Sequence, residues 1–381
     1  MDLKTIITAA ALSFVSIFSL ISAEKTGDYP VQFKDGEKVL FLGDSITRGG
    51  GWHSMLSLFY ETRFPEKRIT WLNAGISGDT AAGALKRLQW DVLDRKPDQV
   101  VVMFGMNDID MLKLYDTESP EKLAARQARI KEYAASMEQL ILAMKAAKIK
   151  LVLCTQSPYD ESLKLDKTGY AGANAALTRC AAICKELAAK YAQPLVDFNG
   201  PMNAMALDFQ KTNPTFTLIG GDRVHPGAMG NTMMAYLFLK AQNVPGIISE
   251  TVIDAATGKL VSAGNATVTE LSASSNAVSF TLKENALPMP FEGESRETLH
   301  LLPFEKELNR QILTISGLAG GEYELLIDEK PVGRWWQDEL AAGVNLAGLR
   351  TMPQYQQARQ VADANAKRHQ LASYGPRMIA F

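Results

Sequence analysis

Cysteine is scarce in this 381-residue chain, which has only Cys154, Cys180 and Cys184. So small and odd a number leaves either one disulfide with a free thiol or three buried thiols. Cys180 and Cys184 share a helix face at i, i+4, yet no third or fourth ligand lies nearby, so packed thiols are expected rather than a metal site. Histidine numbers four. With Asp44, Asp79 and Asp108 read as turn and cap residues, that is too few for a dinuclear metal hydrolase, and no metal is expected. A surplus of charge is also missing: 40 basic and 42 acidic residues give a net charge of −2. That balance argues against nucleic acid or an acidic membrane as partner. There is no internal repeat or low-complexity linker, and beyond residue 23 no apolar run could cross a bilayer.

What is present is ordinary for a soluble protein, with 46% hydrophobic and 22% charged residues. The length suits one large domain and one smaller one. The start differs in kind. Lys4 precedes an apolar segment, 6–21, followed by Ser22-Ala23 and a polar stretch. This pattern predicts a signal peptide, 1–23, removed after Ala23 to give a secreted or periplasmic protein with no stable membrane insertion.

Val39-Leu40-Phe41-Leu42 is a short apolar run that stops at Gly43-Asp44-Ser45. It reads as a buried parallel strand with Ser45 at its carboxyl end, where open α/β sheets carry out their chemistry. Residues 46–53 read as a glycine-rich loop and Ser54 as the cap of a helix ending before Pro65. Further strands are expected at 69–74, 99–104, 149–155 and 194–198, with helices opening near Thr80 and spanning 120–147, 171–191 and about 227–240. This alternation predicts an α/β fold, a parallel sheet between helices. Three strands end in glycine-polar clusters that would meet along one edge. From about residue 251 the pattern becomes period two, at 267–271, 277–282, 311–315 and 323–327, which predicts a small β-rich addition, closed by a helix over 354–372. The expected organisation is thus 1–23, an α/β unit over 24–248, and the addition over 249–381.

A serine hydroxyl needs a base, an orienting group for that base, and donors for an oxyanion. Asp222-x-x-His225 can supply the first two: the carboxylate accepts from imidazole Nδ1 and leaves Nε2 to take the Ser45 proton. The Ser45 amide, the Gly78 amide and the Asn107 side chain, all at strand ends, are the candidate donors. Arg48, three residues past Ser45, and His53, after the glycines, are candidate substrate contacts. Trp335-Trp336 reads as packing rather than a sugar platform.

Gly43-Asp44-Ser45-Ile46-Thr47, Gly75-Ile76-Ser77-Gly78-Asp79-Thr80, Gly105-Met106-Asn107-Asp108 and Asp222-Arg223-Val224-His225-Pro226 resemble the four blocks of the SGNH (GDSL-type) hydrolases. Ser45, Gly78, Asn107 and His225 match the four residues that name that family. The resemblance covers about 38–240. It implies a three-layer flavodoxin-like fold and ester hydrolysis through an acyl-serine, with no cofactor. Export, together with the carbohydrate acetylesterases in that family, leads us to expect a short-chain, acetyl-type ester of a small molecule or glycan as substrate. The alternatives are a lipase, lysophospholipase or thioesterase activity or, from another class, a glycan-binding protein that uses the addition.

Overall fold

The computed structural model describes residues 30–165 and 169–374, so the segment read as a signal peptide lies outside the described residues. Strand β1 (Lys38–Gly43) is buried from its second residue onward, as a four-residue apolar run flanked by strands on both sides requires. It pairs in parallel with β2 (Thr70–Gly75) and with β3 (Gln99–Met103), matching Leu40 to Leu72 on one side and to Val100 on the other. Beyond β3 come β4 (Lys150–Cys154) and the two-residue β5 (Leu195–Val196), which gives the order 2-1-3-4-5. This is the flavodoxin-like doubly wound order, whose switch point lies between β1 and β3.

Helices cover both faces of the sheet. The segment 46–53, expected to be a loop, is helical. Helix α1 (Ser45–Gly49) follows β1 after one residue, and α2 (Gly51–Arg63) follows at once. Gly50 separates them at φ +67, a left-handed conformation that caps α1 and lets the chain restart as a helix without a loop. Of the three glycines expected in that loop, only the middle one, Gly50, serves as the hinge. Helices α3 (Ala81–Asp91), α4 (Pro120–Ala146) and α5 (Ala173–Tyr191) pack side by side. A shorter α6 (Asn199–Gln210) follows β5. On the opposite face α2 packs against α7 (Ala228–Ala241) over an aromatic core in which Trp52 lies edge-on to Phe41 and Phe198, at 5.4 and 5.3 Å.

Helix α7 is buried almost all round, from Thr232 to Leu239, and such a helix must be covered on both sides. The C-terminal addition supplies the second cover. It contains a four-stranded sheet ordered β13-β10-β6-β7, from β6 (Ile247–Asp254), β7 (Lys259–Gly264), β10 (Arg310–Ser316) and β13 (Val344–Asn345). Two hairpins stand beside it, β8 (Ala266–Ser274) with β9 (Ala277–Glu284), and β11 (Glu322–Ile327) with β12 (Lys330–Trp336). Trp335 packs on a small second core around Leu313, Leu340 and Tyr355, while Trp336 is exposed. Tyr236 and Lys240 of α7 both reach the Glu307 carboxylate, at 2.7 Å each, and Arg63 of α2 donates to the carbonyls of Pro245 and Leu308. The last helix, α8 (Pro353–Tyr374), returns to lie along α2. Among the described residues no helix is long and apolar enough to cross a membrane.

Candidate active site

Three strand ends converge here. Asp44 is the cap of α1, its carboxylate accepting from the Ile46 amide at 2.9 Å, and Ser45 is the first helical residue. The abrupt strand-to-helix turn thus leaves the Ser45 side chain at the carboxyl edge of the sheet. The Ser45 hydroxyl lies 2.7 Å from Nε2 of His225, and Nδ1 of the same ring lies 2.6 Å from Oδ2 of Asp222. The other Asp222 oxygen accepts from the Val224 and His225 amides, at 3.0 and 2.9 Å, so the acid is fixed by the turn it belongs to. Partial burial pushes the Asp222 carboxyl up, but hydrogen bonds from the His225 amide and ring outweigh it and hold the group below the usual carboxylate range. Asp222 and His225 were legible as a pair in sequence. What holds their loop was not.

Arg223, between them, is buried at φ +64, and its guanidinium donates to the carbonyls of Asp160 (2.9 Å) and Leu163 (2.7 Å). A non-glycine residue held in the left-handed region needs such over-determination by its surroundings. The only sequence signal was a charged residue inside Asp-x-x-His, which spacing alone does not interpret.

The β2 end carries Gly78, exposed at φ +76 in the turn after the strand. The β3 end carries Asn107, whose amide nitrogen donates to the Asp79 carbonyl at 3.0 Å and so fastens it to the Gly78-Asp79 turn. That turn is tied to the nucleophile side in two places: the Ile76 amide donates to the Gly43 carbonyl (3.0 Å), and Arg48 donates to the Ser77 hydroxyl (3.2 Å). Arg48 therefore sits at the rim, spanning α1 and the β2 turn.

His53 is in a different place from the one expected. Only 5% exposed, it stacks on Phe41 at 4.3 Å and directs Nε2 at the Thr47 carbonyl, 2.9 Å away. Burial, with His369 nearby, drives its pKa down to about 3. It belongs beneath α1 and not in the substrate cleft. The reason is helical periodicity, which turns position 53 inward once 51–63 is a helix rather than a loop.

Behind the edge lies a buried polar layer. Arg87 of α3 pairs with Asp79 (2.6 Å) and with Asp91, and donates to the Ala74 carbonyl (3.0 Å) and the Gly43 carbonyl (3.3 Å), joining the ends of β1 and β2. Asp79 is therefore a partner in an ion pair and not simply a turn residue. Asp44 and Asp108 are both almost fully buried, and burial raises their carboxyls to about 6 and about 7. Asp108 accepts from the Ala81 amide at 2.9 Å. Among the described residues no three His, Cys, Asp or Glu side chains converge as metal ligands, and all three cysteines are buried free thiols.

A doubly wound sheet with an Asp-His-Ser chain at its carboxyl edge defines a hydrolase of α/β architecture that works through a serine. A model of the GDSL-like lipase/acylhydrolase family matches residues 41–233, and the chain belongs to that family. An acetylxylan esterase of Geobacillus stearothermophilus is 28% identical over 220 residues, covering 54% of this chain and 93% of that protein. An uncharacterized lipoprotein of Bacillus subtilis is 35% identical over 107 residues, covering 24% of this chain and 39% of its own. Among solved structures, a gut microbial diltiazem-metabolizing enzyme is similar with a TM-score of 0.84 at 34% identity, covering 91% of this chain and 80% of that one. At that coverage the likeness extends into the C-terminal addition. The protein is a carboxylic ester hydrolase with a serine nucleophile.

Proposed function

We propose that this protein is an exported acetylesterase acting on acetylated carbohydrate, with Ser45 as nucleophile, His225 as general base and acid, and Asp222 as orienter. The observation that carries the reading is the unbroken chain Asp222 Oδ2, His225 Nδ1, His225 Nε2, Ser45 Oγ, with links of 2.6 and 2.7 Å. Ser45 Oγ attacks the ester carbonyl as its proton passes to His225 Nε2. The oxyanion is received by the Ser45 and Gly78 amides and by the Asn107 amide hydrogen not given to Asp79. Collapse expels the alcohol, which takes the proton back from His225, and leaves an acetyl ester on Ser45. Water, deprotonated by His225, then releases acetate. Arg48 is a rim contact for the alcohol portion.

The choice of a bulky alcohol rests on exposure. The Asp222 and His225 side chains are 53% and 48% exposed, so the leaving group, which must sit beside His225, faces solvent and can be part of a polymer. The acetyl preference draws support from the acetylxylan esterase relative. Export is read from 1–23. The α/β unit over 24–248 would carry the chemistry, and the addition over 249–381 would cover and brace it.

The test is hydrolysis of p-nitrophenyl esters from acetyl to octanoyl, with acetate release from acetylated xylan, by wild type and Ser45→Ala. We expect kcat/KM to fall with chain length, acetate to be released, and Ser45→Ala to lose about 10⁴-fold or more in kcat. Turnover retained in the variant sinks the serine assignment, and preference for eight-carbon chains sinks the acetyl one.

A further inference from the structure

Helix α1 is only five residues long, and its last carbonyls have no partner within the helix except that of Ile46, which accepts from the Gly50 amide. The next three all receive side-chain donors from outside. The Thr47 carbonyl accepts from His53 Nε2 (2.9 Å) and Asn73 Nδ2 (3.2 Å), and the Arg48 carbonyl accepts from Asn73 Nδ2 (3.1 Å). The Gly49 carbonyl accepts from His369 Nε2 at 2.9 Å. His53 and Asn73 belong to α2 and β2, inside the α/β unit. His369 comes from α8, the last helix of the addition, 320 residues further along the chain.

We propose that His369 is a positioning residue: by holding the Gly49 carbonyl at one end of α1 it fixes the attitude of Ser45 at the other, so that the C-terminal addition aims the nucleophile. The inference rests on Ser45 being that nucleophile. Three features of the geometry support it. Helix α8 is seated by Asn365, which donates to the Ser54 carbonyl (2.9 Å), and by Arg368, which donates to the Ser57 hydroxyl (2.7 Å), so His369 is presented from a fixed backbone. The His369 ring meets the His53 ring edge to face at 5.4 Å, so the two donors beneath α1 brace each other. Finally, a Cβ at Gly50 would lie 1.9 Å from His369 Cε1, so the residue that turns the chain out of α1 is also the one that admits the imidazole. Burial lowers the His369 pKa, keeping a neutral ring whose single proton must sit on Nε2 to reach the carbonyl. A rigid five-residue lever transmits a small displacement at Gly49 directly to Ser45 Oγ, and errors of about 1 Å cost on the order of 10²-fold in rate.

Glutamine and methionine have similar shape and reach, but only glutamine carries an N–H at the right distance. His369→Gln and His369→Met are therefore compared with wild type in kcat and KM for p-nitrophenyl acetate, their rates being referred to active sites titrated with a fluorophosphonate, and Ser45→Ala is assayed beside them with its rate referred to protein concentration. We expect His369→Met to lower kcat by about 10- to 100-fold with KM within about twofold, and His369→Gln to recover to within about threefold of wild type. Equal loss in both variants overturns the proposal, as does a His369→Met kcat within about twofold of wild type. So does a loss that vanishes once rates are referred to titrated sites. Turnover surviving in Ser45→Ala would instead refute the nucleophile assignment on which the inference stands.

Discussion

Replacing Asp108 by asparagine should make this protein more stable at alkaline pH and leave it nearly unchanged in acid. Asp108 is 5% exposed; one oxygen accepts from the Ala81 amide at 2.9 Å and the other is buried with no partner. Burial, with Asp44 close by, lifts its pKa from 3.8 to about 7. In that interval the folded state keeps a proton that the unfolded state releases, so its contribution is complete below about pH 4 and is lost as pH rises through 7. A shift of about three units corresponds to about 4 kcal/mol at 1.36 kcal/mol per unit. Asparagine keeps the acceptor for Ala81 and never ionises. The variant should therefore gain about 2–4 kcal/mol over wild type at pH 8 and differ from it by less than about 1 kcal/mol at pH 4.5. Urea unfolding followed by the fluorescence of the five tryptophans, repeated from pH 4.5 to 8.5, measures the difference curve. A difference that does not change with pH, or an asparagine variant weaker than wild type at pH 8, would refute the reasoning.

Arg87→Met strands the Asp79 carboxylate, 11% exposed, and leaves the 5% exposed Asp91 without its closer guanidinium though still paired with Arg95 at 3.4 Å; it should cost about 3–5 kcal/mol, lowering Tm by about 10 °C in a calorimetric scan. Arg87→Lys should restore little, because one ammonium cannot bridge two carboxylates and two carbonyls. Asp222→Asn should lower kcat by about 10³- to 10⁴-fold with little change in Tm, since an amide N–H facing Nδ1 forces the proton onto Nε2, where it blocks attack. No thiol should react with Ellman's reagent in the native protein and three should react in urea, because Cys154, Cys180 and Cys184 are buried and burial pushes their thiols up. Because all three are free thiols, dithiothreitol should leave Tm unmoved.

The α/β unit was legible where strands are buried on both faces. The all-apolar runs at Leu40 and Val101 could be nothing else at that length, and the four motif blocks fell at strand ends because only there do backbone and side chain both reach solvent. The helix directly after Ser45 was not legible, because Gly49-Gly50-Gly51 weakens every local signal and the helix survives only through tertiary donors. His53 was misplaced for that reason. Strands β6, β7, β12 and β13 were missed; β13 is only two residues long, and β12 carries Pro331 and Gly333, which weaken a strand signal. The roles of Arg87, Arg223 and His369 depend on partners between 4 and 320 residues away, and no spacing rule reaches the longest of these.

Arg368 meets Ser57 across 311 residues of chain. A polymer fastened to itself over such a span behaves like a clasped bracelet, and the clasp is one amphipathic helix in which Asn365, Arg368 and His369 make the polar contacts to the α/β unit. Gentle denaturants should open it before the sheet loosens, so the earliest event in unfolding is release of the tail, visible as hydrogen exchange in α8 outpacing that of the interior strands.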